Sequence, residues 1–221
     1  MEINSYSTWL EIDLNAITQN VAYIKRMTGV EVMAVIKANG YGHGARPAAQ
    51  AAVQGGATWC GVARIEEALA LRRAGISAEL MVLGYTPPSK IPEAIDQQIV
   101  VSLFDPSQAE TCLNYARING GKLRAHVKLE TGMGRLGMLP EEVIPFLRAL
   151  QGSAIQVEGI FTHFARADDP ESGYTQHQIE IFNQLLAKLE HEGLKPPMVH
   201  AANSAAVFNF PQAWYNMVRP G

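Results

Sequence analysis

The chain has 221 residues, 48% of them hydrophobic, and a formal net charge of −3 at pH 7. This length is enough for one large globular core, and the apolar fraction is typical of a folded protein. The charge is slightly negative and the sequence has no lysine- or arginine-rich run, so we expect neither nucleic acid nor an anionic membrane as the main partner.

The cysteines and the first residues indicate the compartment. Cys60 and Cys112 lie in different predicted elements and lack the spacing of metal ligands, so we expect buried or partly buried free thiols in a reducing cytosol. Met1 to Asn15 has no basic start followed by an apolar core, and no apolar run reaches membrane-spanning length. The sequence therefore predicts a soluble cytoplasmic protein.

The predicted elements alternate along the chain. Thr8–Ile12 is a possible short strand, and Asp13 is suited to cap a helix whose apolar residues recur at helical spacing. The strands predicted after it are Met33–Ile36, Trp59–Val62, Leu80–Leu83, Ile99–Leu103, Leu123–Leu129, Ile155–Phe161, Met198–Ala201 and Asn216–Arg219. The helices predicted between them are Arg46–Gln54, Ile65–Ala74, Ile91–Asp96, one from Pro106 to a stop at Asn119, Pro140–Leu150, Tyr174–His191 and Ser204–Phe210.

Such alternation predicts an α/β fold with a parallel sheet. Eight strand–helix units predict a closed (β/α)8 barrel of the TIM type rather than an open doubly wound sheet. We expect residues 13–221 to form this barrel. The sequence stops at Gly221, directly after the eighth predicted strand, so the barrel is expected to lack its last helix.

The first barrel strand ends at Lys37, within the stretch Ala-Val-Ile-Lys-Ala-Asn-Gly-Tyr-Gly-His-Gly. Partial desolvation at the carboxyl end of a buried parallel strand lowers the pKa of an amine toward its nucleophilic form. This position is typical of a lysine that forms a Schiff base with a carbonyl compound. The alternative is a surface lysine that follows an edge strand.

This stretch resembles the pyridoxal-phosphate lysine motif of the alanine racemase family. The resemblance implies a fold type III pyridoxal-phosphate enzyme in which Lys37 binds the cofactor. It also implies that a C-terminal domain made largely of strands follows the barrel. That domain is absent from this sequence, and residues 1–12 would pack with it.

The residues that follow the other strands would gather at the same rim of a barrel. The resemblance implies four catalytic residues, which are Lys37, Arg135, His163 and Arg219. It implies that the cofactor also contacts Tyr41, Leu83, Asn203, Ser204 and Gly221, with the phosphate held by Ser204, Tyr41 and the Gly221 amide. Helix starts favour phosphate, but Ser204 is equally an ordinary N-cap or first-turn serine, and Leu83 equally a barrel-core leucine.

Arg219 stands in Met-Val-Arg-Pro-Gly, where the resemblance places an arginine against the pyridine nitrogen of the cofactor. A guanidinium stays charged and cannot accept the pyridine proton. It would therefore keep that nitrogen largely unprotonated and weaken the ring as an electron sink, which favours racemisation over transamination. The alternative is an arginine that pairs with an acidic side chain.

Three more residues complete the predicted site. The resemblance favours His163 as a ring packed against the cofactor with a hydrogen bond toward Arg219, although a metal ligand or a general base is open from the residue type. No paired histidine spacing indicates zinc. Arg135 corresponds to a family arginine near the substrate carboxylate and the phenolic oxygen of the cofactor. Lys128 corresponds to a lysine that is often carbamylated and then positions Arg135, and its alternative is an ion pair with Glu130.

The resemblance implies the barrel portion of a pyridoxal-phosphate racemase that interconverts L- and D-alanine for cell-wall precursors and acts as a homodimer. The proton-transferring residue on the second face of the substrate would be a tyrosine from the absent domain of the partner subunit. Alanine and serine both stay open as substrates. One alternative is a stand-alone pyridoxal-phosphate barrel without turnover, whose lysine motif differs from the one here. Another is a decarboxylase or aldolase, which Arg219 disfavours.

Overall fold

A computed structural model describes residues 7–221, and its strands form one closed parallel barrel. Each strand pairs with the next strand in sequence, and β8 pairs with β1. The strands are β1 Glu31–Val35, β2 Trp59–Val62, β3 Glu79–Val82, β4 Ile99–Leu103, β5 Leu123–Lys128, β6 Ile155–Phe161, β7 Met198–Asn203 and β8 Met217–Arg219. The predicted (β/α)8 barrel is confirmed.

Helices alternate with the strands, and the longer ones cover the outside of the barrel. They are α1 Leu14–Thr28, α2 Lys37–Tyr41, α3 Ala45–Gln54, α4 Ile65–Arg73, α5 Ile91–Asp96, α6 Pro106–Ile118, α7 Pro140–Leu150, α8 Tyr174–His191 and α9 Ser204–Asn209. Three short 3-10 segments are Pro88–Lys90, Pro170–Ser172 and Pro211–Ala213. The predicted barrel strands and their connecting helices are all present, and their ends agree with the prediction to within two residues.

The predicted strand Thr8–Ile12 is wrong. These residues form no helix or strand, and their side chains are exposed. A strand needs a partner for its backbone hydrogen bonds, and the barrel offers no free edge because β1 pairs with both β2 and β8. The packing of residues 1–12 against another domain stays a prediction. Residues 1–6 of this segment lie outside the described part of the chain.

The helix before the barrel is specified by its capping residues. The Asp13 carboxylate accepts a hydrogen bond from the Ala16 amide (3.1 Å), and Gly29 ends α1 with φ of 68°. Val21 and Ile24 on this helix are buried. Gly55, at the end of α3, lets α3 approach α1 closely, because a Cβ at this position would lie 2.5 Å from the Thr18 carbonyl of α1.

Side chains alternate between two cores along each strand. The outward-facing residues, such as Val32 and Ala34 of β1, pack against the helices. The interior is filled by large side chains, which are Met33, Trp59, Met81, Val100, Phe161 and Met217. Near the amino ends of the strands, Arg124 forms ion pairs with Glu79 (2.7 Å) and Glu158 (2.9 Å). Space for a ligand therefore remains at the carboxyl ends.

Both cysteines are buried and unpaired, as predicted. Burial raises the pKa of Cys60 to about 12 and that of Cys112 to about 11, so both thiols are protonated at neutral pH. None of the helices between residues 7 and 221 has the length and apolar character needed to span a bilayer.

Candidate active site

One cavity of about 300 Å³ opens at the carboxyl ends of the strands. All ten residues predicted for the site line it, namely Lys37, Tyr41, Leu83, Lys128, Arg135, His163, Asn203, Ser204, Arg219 and Gly221. Four of these ten are cationic, and no lining residue has an acidic side chain. An anionic ligand is therefore favoured there.

Lys37 begins α2, which is a single turn in the left-handed conformation. Ala38, Asn39, Gly40 and Tyr41 have φ values of 52°, 56°, 62° and 54°. For each non-glycine residue this conformation costs about 1–2 kcal/mol. The glycines of this stretch predict a tight turn, but nothing in the sequence indicates that alanine and asparagine adopt left-handed conformations. Strain of this kind is concentrated at functional sites.

Hydrogen bonds from neighbouring elements hold the turn in place. The Glu67 carboxylate on α4 accepts one hydrogen bond from the Ala38 amide (2.8 Å) and one from the Ala63 amide (2.7 Å). The Asn39 side chain accepts another from the Ala45 amide at the start of α3 (2.9 Å). Lys37 is therefore attached to a turn that two adjacent strand–helix units fix. Glu67 is not predictable from the sequence as a site residue, because its position in the first turn of α4 indicates only an ordinary helix acid.

Tyr41, Ser204 and Gly221 meet at one end of the cavity. Asn203 is the N-cap of α9, with its side chain accepting a backbone hydrogen bond of 3.1 Å, so Ser204 is a first-turn residue and not the cap. The Ser204 hydroxyl accepts a hydrogen bond from the Gly221 amide (3.0 Å). A Cβ at Gly221 would lie 2.9 Å from the Cβ of Val35 and 3.1 Å from the Tyr41 hydroxyl. Only glycine fits this position without a shift of its neighbours.

Arg219 lies at the end of β8 and is 4% exposed. Its Nη2 donates to the carbonyls of Thr162 (2.7 Å) and Ala201 (2.9 Å), and its Nη1 donates to Nδ1 of His200 (2.8 Å). Burial lowers the pKa of Arg219 to about 9, so the guanidinium is still cationic at neutral pH. The alternative of an acidic partner is not observed among residues 7–221.

Two buried histidines extend the hydrogen bonds of Arg219 into the barrel. Because Arg219 can only donate, Nδ1 of His200 accepts, and the proton of the neutral ring lies on Nε2. That Nε2 donates to Nδ1 of His126 (2.8 Å), which leaves the His126 proton on its own Nε2. Burial lowers the pKa of His126 to about 3 and that of His200 well below its ordinary value. Both rings are therefore neutral and have one defined tautomer.

Gly159 makes room for the His126 ring. A Cβ at this position would lie 2.6 Å from Nδ1 of His126, so the strand can pass the ring only as glycine. The β5–β6 register shifts between Ala125 and His126. Such irregularities re-aim side chains near functional sites.

His163 lies beside Arg219 at the rim, with its Nδ1 3.4 Å from Nη2 of the arginine. Burial, followed by the charge of Arg219, lowers the pKa of His163 to about 3. A ring that stays neutral at neutral pH cannot act as a cation there. It suits a packing role, and no group of three or more histidine, cysteine or acidic residues within residues 7–221 could hold a metal.

Lys128 is 3% exposed, and no described carboxylate forms an ion pair with it. The Glu130 carboxylate accepts hydrogen bonds from the backbone amides of Gly132, Gly134 (2.9 Å) and Arg135 (3.3 Å) instead. Glu130 therefore shapes the loop that carries Arg135, and the predicted alternative of a Lys128–Glu130 ion pair is wrong.

The cavity and its setting first define a class of protein. A closed (β/α)8 barrel whose lysine, arginine and histidine residues converge at the carboxyl ends of the strands has the site geometry of a barrel enzyme. The chain belongs to the alanine racemase family, because the family model described as alanine racemase, N-terminal domain, matches residues 12–221.

Individual relatives agree with this assignment. The chain is 45% identical over 216 residues to the alanine racemase of Symbiobacterium thermophilum, covering 97% of this chain and 57% of that protein. It is 42% identical over 219 residues to the alanine racemase of Desulforamulus reducens, covering 96% and 59%. The chain therefore spans a little over half the length of the curated relatives it matches.

Solved structures give the same result. The alanine racemase of Streptomyces lavendulae superposes with a TM-score of 0.90 at 38% identity, covering 95% of this chain and 56% of that one. The Bacillus anthracis alanine racemase with bound L-Ala-P superposes with a TM-score of 0.90 at 39% identity, covering 97% of this chain and 56% of that one.

Proposed function

We propose that this chain is the cofactor-binding barrel of a pyridoxal-phosphate-dependent alanine racemase that interconverts L- and D-alanine. The observation that carries the proposal is the convergence of Lys37, the Ser204–Gly221 pair and Arg219 on one cationic cavity. The relatives support alanine as the substrate, since the proteins that match nearly the whole of this chain are alanine racemases.

The residues present fit the cofactor. The cavity volume is at the lower end of the range for small-molecule sites, as suits a compact ligand. Tyr41, Ser204 and the Gly221 amide would hold the phosphate, with Asn203 fixing the start of α9. The remaining cations complement the other negative groups of the cofactor and substrate. Leu83 and His163 would contact the ring.

Pyridoxal phosphate supplies, when bound, an electron-withdrawing ring that acidifies the α-hydrogen of an attached amino acid. The Lys37 amine would hold the cofactor covalently and, once released, move the proton at the substrate Cα on one face. Arg219 would face the ring nitrogen as a donor only. Its hydrogen bonds to two carbonyls and to His200 hold the guanidinium in this orientation. Arg135 would orient the substrate carboxylate.

Lys128 is the residue that we propose is carbamylated. In this reaction the ammonium group first loses a proton, and the neutral amine then forms an N–C bond to carbon dioxide as one C–O π bond of the gas breaks. The nitrogen releases a second proton to solvent, so overall a cation becomes an anion. The anion would lie among cations that have no acidic side chain as a partner in the cavity, and it would orient Arg135.

The complete enzyme would be a cytoplasmic homodimer that supplies D-alanine for peptidoglycan precursors, with no nucleic-acid or membrane partner. A tyrosine from the second domain of the partner subunit would serve the opposite face of the substrate. A stand-alone cofactor barrel without turnover is not favoured, because the matched relatives are racemases. A decarboxylase or aldolase is disfavoured by Arg219, because such reactions generally benefit from a protonated pyridine and this arginine would keep the ring nitrogen unprotonated.

The test is an absorbance titration of the purified chain with pyridoxal phosphate, followed by borohydride reduction and peptide mass mapping. We expect covalent cofactor at Lys37 in the wild type and in Lys122→Ala, which removes an exposed lysine, but not in Lys37→Ala. Alanine racemisation by this chain should stay near background, because none of the described residues that line the cavity is assigned to the second face of the substrate. Cofactor fixed at another lysine, or no covalent cofactor in a folded sample, would contradict the proposal.

A further inference from the structure

A buried glutamine on an outer helix contacts two of the loops that carry site residues, those after β5 and β6. Gln178 lies on α8 and has no exposed surface. Its Oε1 accepts from the Ala165 amide (2.9 Å), and its Nε2 donates to the His163 carbonyl (3.1 Å) and to the Thr131 hydroxyl (3.1 Å). A backbone amide can only donate and a carbonyl can only accept, so these partners fix the orientation of the side-chain amide.

The threonine hydroxyls continue this network in one direction. Thr162 donates to the Leu129 carbonyl (3.1 Å), so its oxygen is free to accept from Thr131 (2.7 Å). Thr131 in turn accepts from Gln178 and uses its own proton on Thr162. Every proton in this buried chain has an acceptor, so the chain has a single satisfied arrangement.

The network reaches three residues of the proposed site. Thr131 lies in the loop after β5 that carries Arg135, and this loop closes by a bridge between Leu129 and Met138. The carbonyl that Gln178 binds belongs to His163 itself. The carbonyl of Thr162 accepts the hydrogen bond from Nη2 of Arg219. One side-chain amide is thus connected to every predicted catalytic residue except Lys37.

We propose that Gln178 is a positioning residue, which holds the loops after β5 and β6 so that Arg135, His163 and Arg219 face the cavity in one geometry. This inference rests on the proposed function for the meaning of that geometry. The competing explanation is that Gln178 only satisfies buried backbone groups and stabilises the packing of α8. The two explanations differ in what the site does when the glutamine is replaced.

The chain offers a matched control on the same helix. Thr175 lies one turn before Gln178 and is 1% exposed, and its hydroxyl has no hydrogen-bond partner among residues 7–221. Thr175→Val therefore removes a buried polar group of α8 without breaking the network. Gln178→Met keeps the length of the side chain and removes all three hydrogen bonds.

Two measurements decide the proposal. The first is the ¹⁵N spectrum of the histidine rings in the cofactor-free chain, with the His163 signal assigned by its loss in His163→Gln. The second is the dissociation constant for pyridoxal phosphate from absorbance. In Gln178→Met we expect a shifted His163 signal and roughly tenfold weaker cofactor binding, about the effect of one lost hydrogen bond. Thr175→Val should match the wild type in both.

The proposal is overturned if a folded Gln178→Met keeps the wild-type His163 signal, or if it binds the cofactor within twofold of a wild type that does bind it. It is equally overturned if Thr175→Val has the same effects. Should Gln178→Met fail to fold, Thr131→Val replaces it, because this change breaks the link to Thr162 at nearly constant volume. The cofactor-free spectrum decides the role of Gln178 even if wild type binds no pyridoxal phosphate, so the two proposals fail separately.

Discussion

The amine of Lys128 is buried among cations. Burial, and then the charges of Arg135 and Arg219, lower the pKa of Lys128 from 10.5 to about 8. The neutral form dominates above the pKa, so at pH 7 this shift raises the neutral fraction roughly 300-fold, to about one tenth. Only a neutral amine attacks carbon dioxide, so the burial and the neighbouring cations of Lys128 promote its carbamylation. The resulting negative charge would offset the repulsion among these cations.

Carbamylation of Lys128 should appear as a ¹³C carbamate signal when the protein is equilibrated with ¹³C-labelled carbon dioxide. At a fixed pressure of the gas, the signal should grow as the pH rises through about 8, because the neutral amine increases in that direction. It should vanish in Lys128→Met and persist in Lys37→Ala. A signal that survives in Lys128→Met would assign the carbamate to another amine and contradict this prediction.

The residues that line the cavity were predictable, but the residues that hold them were not. A resemblance of motif identifies Lys37 or Arg219 directly. The inward orientation of His126 could be predicted, because this residue lies two positions before Lys128 and must therefore face the same side of β5. The roles of Glu67 and Gln178 have no signal in the sequence, since they depend on hydrogen bonds to distant loops that only the folded barrel brings within reach.

At the scale of elements, the barrel follows from local patterns. Strands buried on both faces appear as short apolar runs, and glycine or proline separates them from the helices. The pattern fails where a predicted strand has no partner, as in Thr8–Ile12, for which the closed barrel offers no free edge. It also fails in α2, because helix and strand propensities do not describe a left-handed turn that hydrogen bonds from other elements stabilise.

The left-handed turn predicts opposite effects for one substitution at two sites. Ala38→Gly should raise the free energy of unfolding by up to about 1 kcal/mol, because relief of left-handed strain exceeds the entropy cost of glycine. Ala70→Gly, at an exposed interior position of α4, should lower it by about 1 kcal/mol. Urea denaturation of both variants measures the difference. Equal destabilisation at the two sites would mean that Ala38 is not strained.

At the scale of the whole molecule, the two ends of the barrel carry different electrostatics. Near the amino ends, Arg124 is paired with two carboxylates. The cavity at the carboxyl ends has four cationic side chains and no acidic side chain among its lining residues. Barrel enzymes divide stability and chemistry between their ends in this way. Charges paired within the protein stabilise the fold, and charges left unpaired are available to a ligand.

One arginine from each end tests this division. Arg124→Met leaves Glu79 and Glu158 close together without their cation, so we expect the free energy of unfolding to fall by about 2 kcal/mol, with pyridoxal-phosphate affinity within twofold of wild type. Arg135→Met removes an exposed side chain, so stability should change by no more than about 0.5 kcal/mol, while affinity falls roughly tenfold. Urea denaturation and absorbance titration measure the two quantities. If Arg124→Met weakens cofactor binding as much as Arg135→Met does, the two ends are coupled and the division is wrong.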